Sequence, residues 1–173
     1  PVILIADRGY EAYNNIAHIE QKGWNYLIRV KEKHGILSGL NLPDTPEFDA
    51  CFSYSLSKRL TNRIRKEPQK YRWLPSKVQF DYIRDASDDL YPLSFRVVRF
   101  LVKEDLYETV ITNLPEASFP PSLLCMLYHK RWGIETAFCD LKCTLALTHF
   151  HAKKRSFIMQ EIFSRMTLYN FAS

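Results

Sequence analysis

The stretch that decides the fold is VILIADRGYEAYNNIAHIEQKGWNYLIRVK, residues 2–31. Its first five residues form a continuous apolar run, as expected of a strand that is buried on both faces. In residues 10–23, apolar side chains recur at helical spacing until Gly23, a residue type that commonly ends a helix. Residues 24–31 are typical of a second strand. A strand, a helix and a strand in this order predict a parallel pair with a right-handed crossover, and therefore an α/β fold.

The middle of the chain has a different pattern of residue types. From about residue 34 to residue 114, aromatic and β-branched segments alternate with Asp, Pro and charged turns. The segments FDACFSYSL, KVQFDYIRD, PLSFRVVRFLVK and LYETVITNL predict four or more antiparallel strands with little helix. Two helices are predicted after them, at residues 121–145 and 155–173, and Pro121 suits the first turn of the former.

Composition and charge limit the possible functions. The chain has 173 residues, of which 46% are hydrophobic, enough to bury one core of its own. Four cysteines are too few for a disulfide scaffold and indicate a reducing compartment. No apolar run approaches the ~18 residues of a membrane span, so we expect no membrane partner. The formal net charge of +5 favours nucleic acid as a partner without proving it.

The positive charge is concentrated in residues 58–72. Seven lysines and arginines stand there against one acid, Glu67, which gives a local net charge of +6. A basic run is commonly a solvated face, and this alternative stays open. The interleaved Tyr71 and Trp73 favour a surface that contacts phosphates and stacks on a base. The cations that we assign to this surface are Arg63, Arg65 and Lys66.

A second informative stretch, YHKRWGIETAFCDLK, occupies residues 128–142. At 100° per residue, its Tyr128, Arg131, Glu135 and Lys142 share an arc of roughly 60° on one helix. The boundary of any amphipathic helix often holds charged residues, so this geometry alone leaves a purely structural explanation open. An apolar stripe beside the row is predicted to face the core, and its members are Leu123, Leu127, Ile134, Phe138, Leu141 and Leu145.

Asp7 offers a carboxylate at the end of the first predicted strand, in IADRGY. Ligands of α/β folds bind at this end of the strands, although an Asp there also commonly caps the following helix. Together with Glu135, Asp7 would provide the hard oxygen ligands that Mg²⁺ prefers. Paired divalent ions stabilise both the attacking and the leaving oxygen in phosphoryl transfer. The two motifs therefore suggest a metal-dependent phosphoryl-transfer site.

The spacing Tyr128-x2-Arg131-x3-Glu135-x6-Lys142 resembles the YREK signature of insertion-sequence transposases of the IS-four type. These are cut-and-paste enzymes with an RNase H-like catalytic core and a DDE metal site. The segment DRGY resembles the one that carries the second catalytic Asp of that family, and this Asp falls on Asp7. The resemblance implies metal-dependent DNA cleavage and strand transfer at transposon ends.

The resemblance also implies an architecture, because the family inserts a β-rich subdomain before the helix that carries the Glu. We therefore expect a partial RNase H-like fold with an inserted antiparallel β-rich subdomain. Its predicted parts are a core segment with the second Asp (1–33), the insertion (34–116) and the C-terminal core helices with the Glu (117–173). The family's first catalytic Asp precedes the second, and no residue before Asp7 could supply it. We expect a fragment that is inactive alone, from a parent that is an enzyme.

By the same resemblance, Asp7 and Glu135 would be catalytic and would hold Mg²⁺ or Mn²⁺. Tyr128, Arg131 and Lys142 would grip a backbone phosphate near the transposon end, since positioning and charge neutralisation dominate phosphoryl transfer.

Trp73 is the candidate to stack on a base flipped out of the duplex, with a core position as its alternative. The expected partners are transposon-end and target DNA and a second copy in a dimeric synaptic complex. The expected location is the bacterial cytoplasm, in association with the nucleoid. The alternative functions are a non-catalytic DNA-binding or interfering transposase remnant, or another RNase H-like nuclease.

Two cysteines and two histidines near the end of this region raise the question of zinc. Cys139 and Cys143 are one helical turn apart, and His149 and His151 follow. Their spacing is not that of a standard zinc finger or ribbon, so the sequence does not support a zinc site.

Overall fold

One mixed sheet lies at the centre of the fold. The computed structural model describes residues 2–32, 35–143, 146 and 148–172, apart from the side chains of residues 140, 141 and 172. Within these residues the strands are β1 (Ile3–Ala6), β2 (Asn25–Arg29), β3 (Phe48–Ser57), β4 (Tyr71–Trp73), β5 (Leu90–Lys103) and β6 (Leu106–Thr112). Their order across the sheet is β1-β2-β6-β5-β3-β4.

Helices accompany the sheet, which confirms the predicted α/β class. They are α1 (Tyr13–Gln21), α2 (Asn62–Lys66), α3 (Pro121–His129), α4 (Trp132–Cys143) and α5 (Arg155–Ala172), with 3₁₀ turns at Arg8–Tyr10 and Gly35–Leu37.

The strand–helix–strand unit forms as predicted. β1 and β2 pair in parallel, with Ile5 opposite Leu27, and α1 connects them. Ile16 of α1 is fully buried, at 0% exposure. Gly23 follows α1 with a φ of +66°, a left-handed conformation that glycine adopts without steric cost and that ends the helix.

Alternate residues of β2 pack on opposite faces of the sheet. Tyr26 and Ile28 belong to the buried cluster that contains the apolar side of α1, whereas Leu27 belongs to the cluster that contains Leu124 of α3. The two-residue period of a strand produces this alternation. β1 was predicted to be buried on both faces, but it lies at one end of the strand order, and its Ile3, Leu4 and Ile5 are half-buried.

The middle of the chain joins the same sheet. β3 pairs antiparallel with β5, β5 with β6, and β6 with β2. β4 was not predicted, and it pairs in parallel with β3. The predicted boundary at residues 33–34 lies outside the described residues, and the division into 1–33, 34–116 and 117–173 stays a prediction.

The prediction of a strand at residues 77–85 is wrong. This segment is a loop of turns whose apolar side chains are still buried, with Phe80 at 5% and Ile83 at 6% exposure. The ring of Phe80 packs edge-on against the rings of Tyr82 and Tyr91, at centroid distances of 5.8 and 5.2 Å. Because strand propensity largely reflects packing of side chains against neighbours, a loop that buries the same residue types imitates it.

The chain divides into two compact units, residues 1–128 and 129–173. The first contains the sheet, and the second contains α4 and α5. No helix in the described part of the chain is long and apolar enough to cross a membrane.

The single helix predicted at residues 121–145 is two helices. Lys130 and Arg131 form a turn between α3 and α4. At this turn the amide of Gly133 donates to the carbonyl of Lys130, three residues back, at 3.1 Å. Gly133 weakens a continuous helix here, because glycine in a helix interior costs about 1 kcal/mol relative to alanine.

The buried face of α3 differs from the predicted stripe. Leu124 and Tyr128 are buried, at 0% and 1% exposure, whereas Leu123 and Leu127 are half-buried. Tyr128 was predicted at the rim of the apolar face, and it lies within it.

Two members of the predicted stripe lie on α4 with described side chains. Ile134 and Phe138 are 52% and 55% exposed, so they do not form a buried stripe. The Leu141 side chain and Leu145 lie outside the described residues.

The Glu11 carboxylate accepts hydrogen bonds from the segment that follows β2, and Gly35 leaves room for this carboxylate. The Glu11 carboxylate accepts from the amides of Lys31 and Ile36, at 2.9 and 2.8 Å. Gly35 has a φ of +75°, and a Cβ added there would lie 2.0 Å from Glu11 Oε1. Only glycine fits both the backbone conformation and the carboxylate.

We expect Gly35→Ala to lower the free energy of unfolding by about 2–4 kcal/mol in urea denaturation. The left-handed backbone costs an alanine about 1–2 kcal/mol, and displacing the carboxylate weakens charge-assisted hydrogen bonds. Gly23→Ala is the matched control, because Gly23 has a φ of +66° but no atom within 4 Å of an added Cβ. Gly23→Ala should lower the free energy of unfolding only by the cost of the left-handed backbone. An equal decrease in Gly23→Ala and Gly35→Ala would contradict a role for Glu11.

Candidate functional site

Asp7 lies directly after β1, where its side chain is partly exposed. Its Oδ1 accepts from the Arg8 amide at 2.6 Å and caps the 3₁₀ turn Arg8–Tyr10. The cap that the sequence offered as an alternative is therefore present. Among the described residues no cation pairs with this carboxylate, so its charge is available to a further ligand.

Glu135 lies in the first turn of α4, with 49% of its side chain exposed. The Arg131 guanidinium donates from Nη1 to Glu135 Oε1 at 2.8 Å, and it also lies over the Trp132 ring at 5.4 Å from the centroid. A carboxylate near a helix N-terminus is further stabilised by the helix dipole. Two of the four residues of the predicted row, Arg131 and Glu135, are thus in direct contact.

The other two residues of the row are placed differently. Lys142 is exposed in the last turn of α4. Tyr128 is 1% exposed in the buried cluster of the first unit, beside residues such as Leu27 and Val98. The break between α3 and α4 separates Tyr128 from the helix that carries Glu135 and Lys142.

The donor chemistry of Asp7 and Glu135 fits Mg²⁺ or Mn²⁺. Both ions take hard oxygen ligands, and Mg²⁺ is commonly bound through one or two carboxylates together with substrate phosphates and waters. Where the structure describes the chain, no three His, Cys, Asp or Glu side chains lie close enough to hold an ion by themselves. Each of these carboxylates offers oxygen donors suited to a divalent ion whose coordination substrate oxygens and waters complete.

Four of the seven cations in residues 58–72 have partners within the fold. Lys58 is buried and donates to the Val78 carbonyl at 2.6 Å. Arg59 pairs with Asp88 at 2.7 Å, and Lys70 pairs with Glu67 at 2.9 Å. Arg72 donates to the Ser38 carbonyl and lies over the Tyr54 ring. Most of the charge that the sequence displays here is therefore structural.

The remaining three cations, Arg63, Arg65 and Lys66, are exposed on α2. The Arg63 guanidinium lies over the Tyr71 ring at 5.1 Å from the centroid. Trp73, on β4 at the end of the strand order, is 41% exposed, so its alternative as a core residue is wrong. These are the cations and the aromatic ring that sequence analysis selected, and they remain accessible.

A hydrogen-bonded cluster around Asp81 was missed by the sequence analysis. Asn14 Nδ2 and His18 Nε2 lie 2.8 and 2.7 Å from Asp81 Oδ2, and Gln79 Nε2 donates to Oδ1 at 3.0 Å. The Tyr82 hydroxyl lies 2.8 Å from His18 Nδ1. These hydrogen bonds connect the 77–85 loop to α1. Asp81 is 63 to 67 residues from its partners on α1, so no local sequence pattern indicates the cluster.

Hydrogen bonds from Asn14, Gln79 and His18 lower the pKa of Asp81 from its ordinary 3.8 to about 2. A lowered pKa in the folded state contributes stability above about pH 4, and this contribution disappears as the pH falls to about 2. We therefore expect Asp81→Asn to lower the free energy of unfolding at pH 7 but to have little effect near pH 2. Urea denaturation at both pH values measures this, and Asn14→Ala should reproduce part of the loss at pH 7. An effect of Asp81→Asn that is independent of pH would contradict the assignment.

Comparison with known proteins identifies the family. The mixed sheet with its accompanying helices is consistent with an RNase H-like fold. Residues 1–171 match the family model of the transposase DDE domain, and the chain therefore belongs to the DDE transposase family. No curated protein matches the chain closely enough to count as a relative. Membership implies DNA as the substrate, and domains of this family generally use divalent metals.

Proposed function

We propose that this chain is part of the catalytic domain of an IS-four-type cut-and-paste transposase, which cleaves DNA at transposon ends and transfers the strands. The observation that carries the proposal is the family match over residues 1–171, because this match includes both the DRGY segment and the YREK motif.

In this proposal Asp7 and Glu135 hold Mg²⁺ or Mn²⁺. The ions would stabilise charge on the attacking and leaving oxygens of the phosphoryl group. The carboxylates contribute charge and hard oxygen donors, and the partly exposed positions of both leave access for DNA.

Arg131 and Lys142 bind the phosphate backbone near the metal ligand. Arg131 forms an ion pair with Glu135, with 2.8 Å between Nη1 and Oε1, and Lys142 is exposed further along α4. A guanidinium matches carboxylate and phosphate geometry equally well, so Arg131 can contact a phosphate while it remains near Glu135. Tyr128 is not assigned a phosphate contact, because it is 1% exposed in the buried cluster of the first unit.

A second part of the DNA-binding surface lies on α2 and β4, in the first unit. Arg63, Arg65 and Lys66 place three cations within five residues, and Trp73 offers an exposed ring. Cations that follow a backbone and an aromatic ring that stacks on a base are the usual components of nucleic-acid surfaces. Trp73 is thus the proposed contact to a flipped base.

The proposed partners are transposon-end DNA, target DNA and a second copy in a dimeric synaptic complex, at the nucleoid of a bacterial cell. A non-catalytic DNA-binding remnant is the second candidate function, and another RNase H-like nuclease remains an alternative. Both transposase candidates require DNA binding, and they differ in cleavage.

DNA binding is tested on the 173-residue chain with a duplex DNA in a salt titration. We expect Arg65→Ala, Lys66→Ala and Lys142→Ala each to weaken binding and to make the slope of log affinity against log salt shallower by about one unit. Each removes one cation that has no ion pair within the described residues and so is available to a phosphate.

The matched controls are Arg59→Ala and Lys70→Ala, which remove cations that are paired with Asp88 and Glu67. Their slopes should change much less, because the partner acid offsets the charge already. If all five variants change the slope equally, net charge alone governs binding and the assigned surface is wrong.

A further inference from the structure

Two thiols lie together on α4. Cys139 Sγ and Cys143 Sγ are 3.8 Å apart, one helical turn from each other, and both residues are exposed. Both are in the reduced form, as are Cys51 and Cys125 in the first unit.

Their separation matches that of two sulfurs bound to one tetrahedral ion. A Zn–S bond of about 2.3 Å at the tetrahedral angle places two sulfurs about 3.8 Å apart. A disulfide would need the sulfurs at about 2.05 Å, so the pair would have to close by nearly half its separation. The observed 3.8 Å therefore suits a shared ion without such a movement.

We propose that Cys139 and Cys143 form a two-thiolate binding site for a soft divalent ion with a filled d shell, Zn²⁺ or Cd²⁺. On binding, each thiol releases its proton to solvent, and each sulfur donates an electron pair to the ion. Within the described residues no third His, Cys, Asp or Glu completes the group.

This site is chemically distinct from the proposed Mg²⁺ site. Thiolates select soft ions, whereas carboxylates suit Mg²⁺ and Mn²⁺. Glu135, Cys139 and Cys143 follow one another at intervals of four residues on α4, so a soft ion would bind one turn from the proposed catalytic carboxylate. The site does not depend on the proposed function, because it requires only the two thiols and their spacing.

The test titrates the 173-residue chain with Cd²⁺ in the presence of a phosphine reductant and follows the ultraviolet charge-transfer absorption of cadmium thiolate. We expect Cys139→Ser and Cys143→Ser each to weaken Cd²⁺ binding by more than about 100-fold, since even the loss of groups that support a metal ligand costs about 10–100-fold. Excess Mg²⁺ should not compete. Cys51→Ser is the matched control, because Cys51 is exposed but lies in the other unit.

A thiol count gives an independent readout. Saturating Cd²⁺ should protect two thiols from an aromatic disulfide reagent in the wild-type chain and in Cys51→Ser, but not in Cys139→Ser. Wild-type Cd²⁺ affinity in both Cys139→Ser and Cys143→Ser, or protection that Cys51→Ser abolishes, would overturn the proposal. Because both cysteines are exposed, far-ultraviolet circular dichroism should show that the serine variants keep their helices.

Discussion

Glu135→Gln is expected to reduce metal-dependent DNA cleavage by about 10³-fold or more in the transposase that carries this chain. A metal ion contributes several kcal/mol of transition-state stabilisation, and about 1.4 kcal/mol corresponds to a factor of ten in rate. DNA affinity should be unchanged or slightly higher, because the substitution removes a negative charge beside Arg131, whose Nη1 lies 2.8 Å from Glu135 Oε1. Cleavage is measured on labelled transposon-end DNA with Mg²⁺ or Mn²⁺, and affinity is measured with Ca²⁺ in their place.

Two further variants make the result specific. Asp7→Asn should cause a loss of the same order, because it removes the other proposed metal ligand. Glu116→Gln removes an exposed acid of the loop before α3 and should cleave as the wild type does. Wild-type cleavage by Glu135→Gln would exclude Glu135 as a metal ligand, and a parallel loss of DNA binding would indicate a folding defect.

Arg96→Ala is expected to lower the free energy of unfolding by about 3–5 kcal/mol, the cost of breaking a buried ion pair on one side. Arg96 is 5% exposed and forms a two-pronged contact with the Asp49 carboxylate on the neighbouring strand. Its Nη1 also donates to the carbonyls of Leu114 and Phe119, at 2.7 and 3.2 Å. The substitution would leave the half-buried Asp49 carboxylate without its cation and two carbonyls without a donor.

Arg59→Ala is the matched control in the same urea denaturation. Arg59 also forms an arginine–aspartate pair, with Asp88, but these side chains are 53% and 76% exposed. Exposed pairs contribute about 0–1 kcal/mol, so this variant should change little. The double variant Arg96→Met with Asp49→Leu should recover much of the loss, because apolar side chains of similar volume commonly replace buried ion pairs well. Equal effects of Arg96→Ala and Arg59→Ala would show that burial does not set the energy of these pairs.

The parts of the fold that sequence predicted correctly are those specified by local pattern. β1 and β2 are short, largely apolar segments on either side of α1, whose apolar residues recur at helical spacing, and the hairpin of β5 and β6 has long β-branched runs. The 77–85 loop has the same residue types, but its burial depends on contacts with α1 and Tyr91 that are distant in the chain. Prediction from local sequence pattern therefore failed where packing against residues distant in the chain determines the conformation.

The candidate site shows the same division. The spacing of Arg131 and Glu135 predicted that they share one face of a helix, and in the structure they are in direct contact. The burial of Tyr128 was not predicted, since one straight helix through Lys130 and Arg131 would place Tyr128 at the rim of the apolar face. In the basic segment, no local pattern distinguishes Arg65 from Arg59, because Asp88, the partner of Arg59, is 29 residues away.

The pairing of β2 with β6 also bears on the order in which the protein folds during synthesis. Leu27 lies opposite Thr112 and Arg29 opposite Val110, so one side of β2 stays without its neighbour until more than 80 further residues have left the ribosome. Residues so far apart in the chain pair late and slowly, because the chain loses the conformational entropy of loop closure before the stabilising contacts form. The strand that follows the Asp7 segment thus spends part of translation as an exposed apolar edge. A nascent chain of this kind is a natural client for chaperones.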